Sequence, residues 1–265
     1  MSVKLNELVD SLVKTSPPGE LTNVNNNLSS LIDDSSVIQD SIESYVNENN
    51  AVFSGKYIAG KYNKHPNSSK YIDYVNGKLF NIDLKSMQAI DIEPYHETSG
   101  LPGYFNELTR KLEKYGDDHY PSSYAFTVIP ENDDDSLRII IIGQRLNNDN
   151  YYTGQWKSEY LIKGNGQVSG VVKLDIHYYE DGNVRLKFDE KIESTTLQTV
   201  NAGEIVNFIN NSETKITLNI IDQFTHLNQQ SFKNLRRLLP ITRSKINWGN
   251  AIGNYRLGSD VVNKK

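Results

Sequence analysis

Five runs rich in β-branched and aromatic residues follow one another through the middle of the chain, each bounded by turn-forming residues: SYAFTVI from Ser123, LRIIIIG from Leu137, WKSEYLI from Trp156, QVSGVVKLDIHYY from Gln167 and NVRLKF from Asn183. Four consecutive isoleucines, Ile139 to Ile142, require cover on both faces, as a central strand has and a half-solvated one lacks. Asp181-Gly182 between two of the runs is a strong hairpin signal, so the spacing predicts an antiparallel meander. A sheet of that kind must be covered, and the flanking segments read as its cover.

Before it, Leu5, Leu8, Val9, Leu12 and Val13 recur at helical spacing until Pro17, Pro18 and Gly19 stop the helix. Leu21, Val24, Leu28, Leu31 and Ile32 repeat the pattern, and so do Val37, Ile38, Ile42, Tyr45 and Val46. Three short helices with tight connections predict an N-terminal antiparallel bundle. From about Val52 to Ile92 the runs AVFSGKYIAGKY and GKLFNIDL predict a small, irregular strand region. A helix between Tyr104 and Tyr115 places Phe105, Leu108 and Leu112 on one side.

After the meander, Asn201 with Glu204 three residues on resembles a capping box. Ile205, Ile209, Ile216, Ile220, Phe224 and Leu227 then make a helical stripe, although TKITLNII alternates like a strand. The predicted class is α+β, divided as 1–50 (helix bundle), 51–118 (small strand region and helix), 119–200 (central antiparallel sheet), 201–248 (C-terminal helices with a basic segment) and 249–265 (tail).

Charge is unevenly placed. Residues 1–229 carry 20 bases and 32 acids, whereas residues 230–265 carry eight bases and one acid. Such asymmetry points to an acidic partner: a protein surface, a nucleic acid or an anionic membrane. On a helical wheel Phe232, Leu235, Leu238 and Leu239 cluster on one side, and Lys233 and Arg237 project from the other. Arg236 lies at the boundary. Asn228 serves as N-cap and Pro240 ends the element, giving about three turns. A nucleic-acid module would set Lys233, Arg236, Arg237, Arg243 and Lys245 against phosphates, with Trp248 and Tyr255 for stacking. The acidic remainder of the chain repels a long polyanion.

Other chemistry finds little support. Zero cysteines exclude a disulfide scaffold, a thiolate zinc site and a cysteine nucleophile. Histidines 65, 96, 119, 177 and 226 form no HExxH spacing and flank no nucleophile elbow, so no catalytic residue, metal site or cofactor is expected. His177 with Glu180 and Asp181 reads as a hairpin end. The run Glu131-Asn132-Asp133-Asp134-Asp135 lacks the glycine and terminal glutamate of a calcium loop. Gly164-Asn165-Gly166 reads as a turn, lacking the Lys-Ser/Thr of a phosphate loop. The N-terminus lacks the apolar core of a signal peptide and no run reaches membrane-span length, predicting a cytosolic protein in which the sequons at Asn27, Asn67 and Asn210 are chance occurrences.

Two segments, IHYYEDGNV from Ile176 and FKNLRRLLPITRSKINW from Phe232, resemble the signature stretches of the F-actin capping protein alpha subunit family. Ser16-Pro17-Pro18-Gly19-Glu20 and Gly154-Gln155-Trp156-Lys157-Ser158-Glu159 are similar to two further stretches of that family. The resemblance implies three N-terminal helices, a strand region and a central sheet covered by a long C-terminal helix, then a mobile tail. It also implies an obligate heterodimer with a similarly folded beta subunit that continues the sheet. The implied activity is calcium-independent capping of filament barbed ends without severing, in the cytoplasm at cortical actin. The family's actin-contacting cations match Lys233, Arg237 and Arg243, with Arg236, Lys245 and Arg256 as further actin-binding candidates. The same cations would take phosphoinositide headgroups, and no nucleic acid is implied as partner. Tyr255-Arg256-Leu257-Gly258 is similar to the family's tail, where Gly249 and Gly253 disfavour a helix.

Overall fold

The computed structural model describes residues 4–96, 101–131, 135–147, 151–180 and 183–226. Helices α1 (Leu5–Lys14), α2 (Leu21–Leu31) and α3 (Ser35–Asn49) form the expected bundle. Val9, Val13, Leu28, Ile38, Ile42 and Val46 close its core together with Phe53, Tyr71 and Phe80 of the strand region. Asp34 caps α3, its Oδ1 accepting from Ser36 N at 3.0 Å.

Gly19, after the two prolines, holds φ +80°, and a Cβ there would come within 2.6 Å of Leu146 on the central sheet. The positive φ favours glycine at this position, whereas the Leu146 methyl lies at the end of a half-exposed side chain that has room to move aside. Gly19→Ala is expected to lower stability by about 1–3 kcal/mol, read as a fall in denaturation midpoint with unchanged slope.

The strand region resolves into a hairpin of β1 (Ala51–Phe53) and β2 (Tyr57–Ala59), and a three-stranded sheet of β3 (Tyr71–Asp73), β4 (Lys78–Asp83) and β5 (Gln88–Pro94). Helix α4 (Phe105–His119) runs a turn beyond the Tyr115 predicted as its end, because Tyr115 and Gly116 are also buried.

The meander is β6 (Tyr124–Pro130), β7 (Leu137–Asn147), β8 (Tyr152–Ile162), β9 (Gln167–Tyr178) and β10 (Val184–Thr196), in the order 10-9-8-7-6 and antiparallel throughout. The four isoleucines are fully buried in β7. Ile139 and Ile141 join the core under α4 and α5 (Ala202–His226), while Ile140 and Ile142 face Ile58 of β2 on the other side. Pro130 falls where the ladder tolerates it, at the end of edge strand β6.

Three strands are longer than their apolar runs. β7 and β8 extend as a hairpin through Arg145↔Gly154 to Asn147↔Tyr152. β10 continues for eight residues past Phe188, through a charged stretch whose alternating side chains do not read as buried strand. A bulge between Ile192 and Thr195 bends its end.

Helix α5 spans 25 residues, and TKITLNII lies within it. Ile216, Thr217 and Ile220 are buried, a helical spacing that overrides the apparent alternation. Asn201 Oδ1 accepts from Glu204 N at 2.9 Å, forming the side-chain half of the predicted cap.

Candidate functional site

Every cation picked out from the sequence as actin-binding, Lys233, Arg236, Arg237, Arg243, Lys245 and Arg256, lies outside the described residues. So do the Asn228 cap, the leucines Leu235 and Leu238, and the tail. The described residues contain the platform from which this segment departs. Phe224 is buried two residues before the end of α5 at His226, and Lys233 follows seven residues after that end.

A polar hub holds α5 to the sheet. Glu213 falls four residues after Ile209, on the helix's apolar stripe, and is 0% exposed. Its Oε1 accepts from Ser158 Oγ at 2.6 Å and Tyr160 OH at 3.1 Å. Its Oε2 accepts from Tyr115 OH at 2.9 Å and Tyr120 OH at 2.8 Å. Trp156 Nε1 in turn donates to Ser158 Oγ at 2.8 Å. One side chain thereby joins α5 to α4, β8 and the segment entering β6. A buried carboxyl group needs such donors, and a fully satisfied network fixes the helix more specifically than apolar contact does.

The GQWKSE stretch divides its labour by strand alternation. Trp156 and Ser158 face α5. Lys157 and Glu159 point to the opposite face, where Lys157 donates to Asn49 O at the end of α3 and Glu159 accepts from Arg138. Arg138 also donates to Glu131 at 2.5 Å and lies 3.7 Å over the Tyr62 ring. Burial and these two acids act oppositely on its guanidinium, and its pKa is raised on balance.

Glu131, at the head of the acidic run, therefore serves an ion pair. His177 Nε2 donates to Asn183 Oδ1 at 2.7 Å and its ring stacks on Tyr179, as a hairpin end does. No group of three or more potential metal ligands occurs among the described residues. The Gly164–Gly166 segment is a turn, closed by Gly166 N to Lys163 O at 2.8 Å, with Gly166 at φ +86°.

Arg185, directly after the IHYYEDGNV stretch, clamps the bundle to the sheet. It grips Asp175 with two bonds, 2.8 and 2.6 Å, and donates to the carbonyls of Thr15 and Ser16 at the end of α1. A guanidinium suits this place, because its fork meets the carboxylate while the C-terminal helix carbonyls attract positive charge. Sequence reasoning missed Arg185 and Glu213. For Glu213 the signal was an acid on the apolar stripe; for Arg185 only its place beside the Asp-Gly hairpin.

The outer edge of β10 carries no strand partner among the described residues. Val184, Lys187, Asp189, Lys191 and Glu193 to Thr196 are exposed along it. Beside it a groove of about 410 Å³ runs between β10 and α5, lined by Ile192, Phe208 and Ile216 among polar neighbours. Leu218 on α5 is 62% exposed. A long, exposed edge strand with an adjoining partly apolar groove is a surface suited to another chain.

The family model described as F-actin capping protein alpha subunit matches residues 9–260. A protein named F-actin-capping protein subunit alpha from Debaryomyces hansenii is 60% identical, over all of this chain and 99% of its own length. Its namesake from Candida albicans is 58% identical over the whole of both chains, and that from Saccharomyces cerevisiae 36%. The structure of the homodimeric actin capping protein alpha subunit from Plasmodium berghei superposes with a TM-score of 0.69, covering 90% of this chain and 98% of that one, at 21% identity. That likeness shares the fold, and with the matches along the full sequence it establishes that this chain belongs to the F-actin capping protein alpha subunit family.

Proposed function

We propose that this chain is the alpha half of a heterodimer that caps the barbed ends of actin filaments, blocking subunit exchange there without severing. The observation that carries this reading is end-to-end identity of 60% and 58% with proteins named F-actin-capping protein subunit alpha. No bond is made or broken. A filament end presents two terminal protomers, and a pseudo-symmetric dimer contacts both at once, gaining affinity through effective concentration.

The beta subunit, of similar fold, pairs along β10 and fills the groove beside α5; the open edge supports this arrangement. Residues 201–248 form the actin-facing part, with Lys233, Arg237 and Arg243 against actin carboxylates and Arg236, Lys245 and Arg256 in lesser roles. The first 50 residues, the strand region of 51–118 and the sheet of 119–200 form the support, and 249–265 the tail. Phosphoinositide headgroups compete for the same cations. Binding does not use calcium, and the complex works in the cytoplasm at cortical actin structures. No helix of the described residues is long and apolar enough to cross a membrane.

Coexpression with a beta subunit tests the assembly, and elongation from filament seeds by the purified pair tests the activity, with and without a calcium chelator. Equimolar copurification and arrest of barbed-end growth in both conditions are expected. A stable monomer, or a pair that leaves barbed-end growth unchanged, would overturn the reading.

A further inference from the structure

On the face of the sheet turned toward α1 and α3, strand register sets two lysines directly against each other. Lys157 of β8 is the cross-strand partner of Lys173 of β9. Like charges directly opposite destabilise a sheet. The acids nearby do little to relieve this pair. Asp175 is gripped by Arg185, and Glu159 by Arg138. Asp189 stands opposite Lys173, but Lys187, two residues away on the same strand face, adds a further cation. From the helices, Lys14 reaches the same place, held by Asp10 at 3.0 Å and within 3.9 Å of Glu48.

Of these, Lys14, Lys157, Lys173, Lys187 and Asp189 line a cleft of about 170 Å³ between the bundle and the sheet, with Tyr45 and Asn49 as its helical wall and Asp175 and Arg185 at its side. Lys157 lies at its floor, its amino group donating to the Asn49 carbonyl, a neutral acceptor. Lys173 and Lys187 are exposed at its mouth.

We propose that this cleft is a binding site for a phosphate-class oxyanion, either free or as a phosphomonoester headgroup, held by Lys157, Lys173 and Lys187. A multivalent anion offers several acceptor oxygens to lysines that otherwise repel one another, and the volume holds such a group where a water occupies about 30 Å³. None of the cleft's lining residues belongs to the basic segment of residues 230–265. It shares only its wall with the Arg185 clamp.

Protonation of Lys157 couples to the site. Burial, and then the charge of Lys173, lowers its pKa to about 8, against which Glu159 and Asp189 act more weakly. A lysine depressed in this way costs stability below about pH 8, and the cost is relieved as pH rises from there toward the ordinary lysine range. Oxyanion binding therefore strengthens as pH falls through about 8.

The test uses the copurified heterodimer. Melting is followed with about 10 mM inorganic phosphate, against chloride of equal ionic strength, near pH 7. Phosphate is expected to raise Tm by about 3 °C. The rise should disappear in Lys173→Gln and Lys187→Gln and shrink for the wild type at about pH 9, where Lys157 is mostly neutral. In chloride, Lys173→Gln should melt at or above the wild type, because the cross-strand repulsion is removed. That result also excludes misfolding as the cause of lost phosphate response. Sedimentation with phosphatidylcholine vesicles carrying an inositol phosphomonoester lipid separates the sources: retention lost in both variants assigns a lipid headgroup, and phosphate stabilisation without retention assigns a free anion. Either result supports the site. No phosphate-specific rise, as when an acidic side chain of the partner subunit already fills the cleft, or a rise undiminished in both variants, overturns it.

Discussion

Alanine at Lys233, Arg237 and Arg243 together is expected to weaken barbed-end capping by at least about 100-fold while leaving the heterodimer assembled and its melting temperature nearly unchanged. Each cation, where it forms a charge-assisted bond with an actin carboxylate, contributes roughly 1–3 kcal/mol, and partial coupling among neighbours keeps the total below the simple sum. Solvent-exposed cations add little to folding, so the loss is expected to be confined to the filament. Raising salt should weaken the wild type toward the triple variant, mainly through the association rate, because rim charges steer encounter. Leu235→Ala and Leu238→Ala are the contrasting pair. On the wheel they face inward, and truncation there costs about 2–5 kcal/mol of stability. Seeded elongation assays and thermal melts on the same preparations decide the matter. Normal capping by the triple variant, or its unfolding as the leucine variants should, would refute the division of this segment into a buried and an actin-facing side.

That prediction rests on periodicity together with the family resemblance, and the described residues show where periodicity succeeds. All three bundle helices, α4, the five meander strands and α5 follow from spacing, because each presents one stripe or face to a core that must exclude water. Where TKITLNII supported either period, Asn201 and the long stripe from Ile205 to Phe224 favoured the helix that the structure contains. Boundaries were less legible. The outer half of β10 is Asp189, Glu190, Lys191 and Glu193 among few apolar residues, so neither burial nor propensity marks it as strand. Its conformation is imposed by pairing with β9, a contact that no local pattern encodes.

Polar tertiary contacts were the least legible of all. The sequence presents Lys157 and Lys173 sixteen residues apart, and only strand register makes them neighbours. Arg185 reads as one more charged residue after a hairpin, yet it joins that hairpin to carbonyls about 170 residues earlier. Motif similarity located these neighbourhoods without giving their physical content. In GQWKSE, the tryptophan and serine build the hub under α5 while the lysine and glutamate serve the other face, so one stretch fastens cover to both sides of the sheet. The same alternation explains how a charged segment can be structural throughout.

Replacing Glu213 should give the largest loss of stability in the described part of the molecule. Glu213→Gln keeps shape and volume, but its amide nitrogen donates where the carboxyl oxygen accepted. Two of the four hydroxyls, the pair from Ser158 and Tyr160 or the pair from Tyr115 and Tyr120, then lose their Glu213 acceptor. The expected cost is about 2–4 kcal/mol. Glu213→Leu removes all four bonds and sets a branched apolar group among hydroxyls, for about 4 kcal/mol or more. Tyr115→Phe deletes a single donor and should cost only about 1 kcal/mol, so the series separates a shared acceptor from simple packing. Denaturant unfolding of the heterodimer at one fixed concentration gives the differences, since association contributes to its apparent stability. Capping should survive in Glu213→Gln under conditions where the dimer remains folded, because the carboxyl group is 0% exposed and meets the filament only through the helix it holds. A Glu213→Gln dimer as stable as the wild type would show that apolar contact alone seats α5, and that the four hydroxyl bonds to Glu213 contribute nothing net.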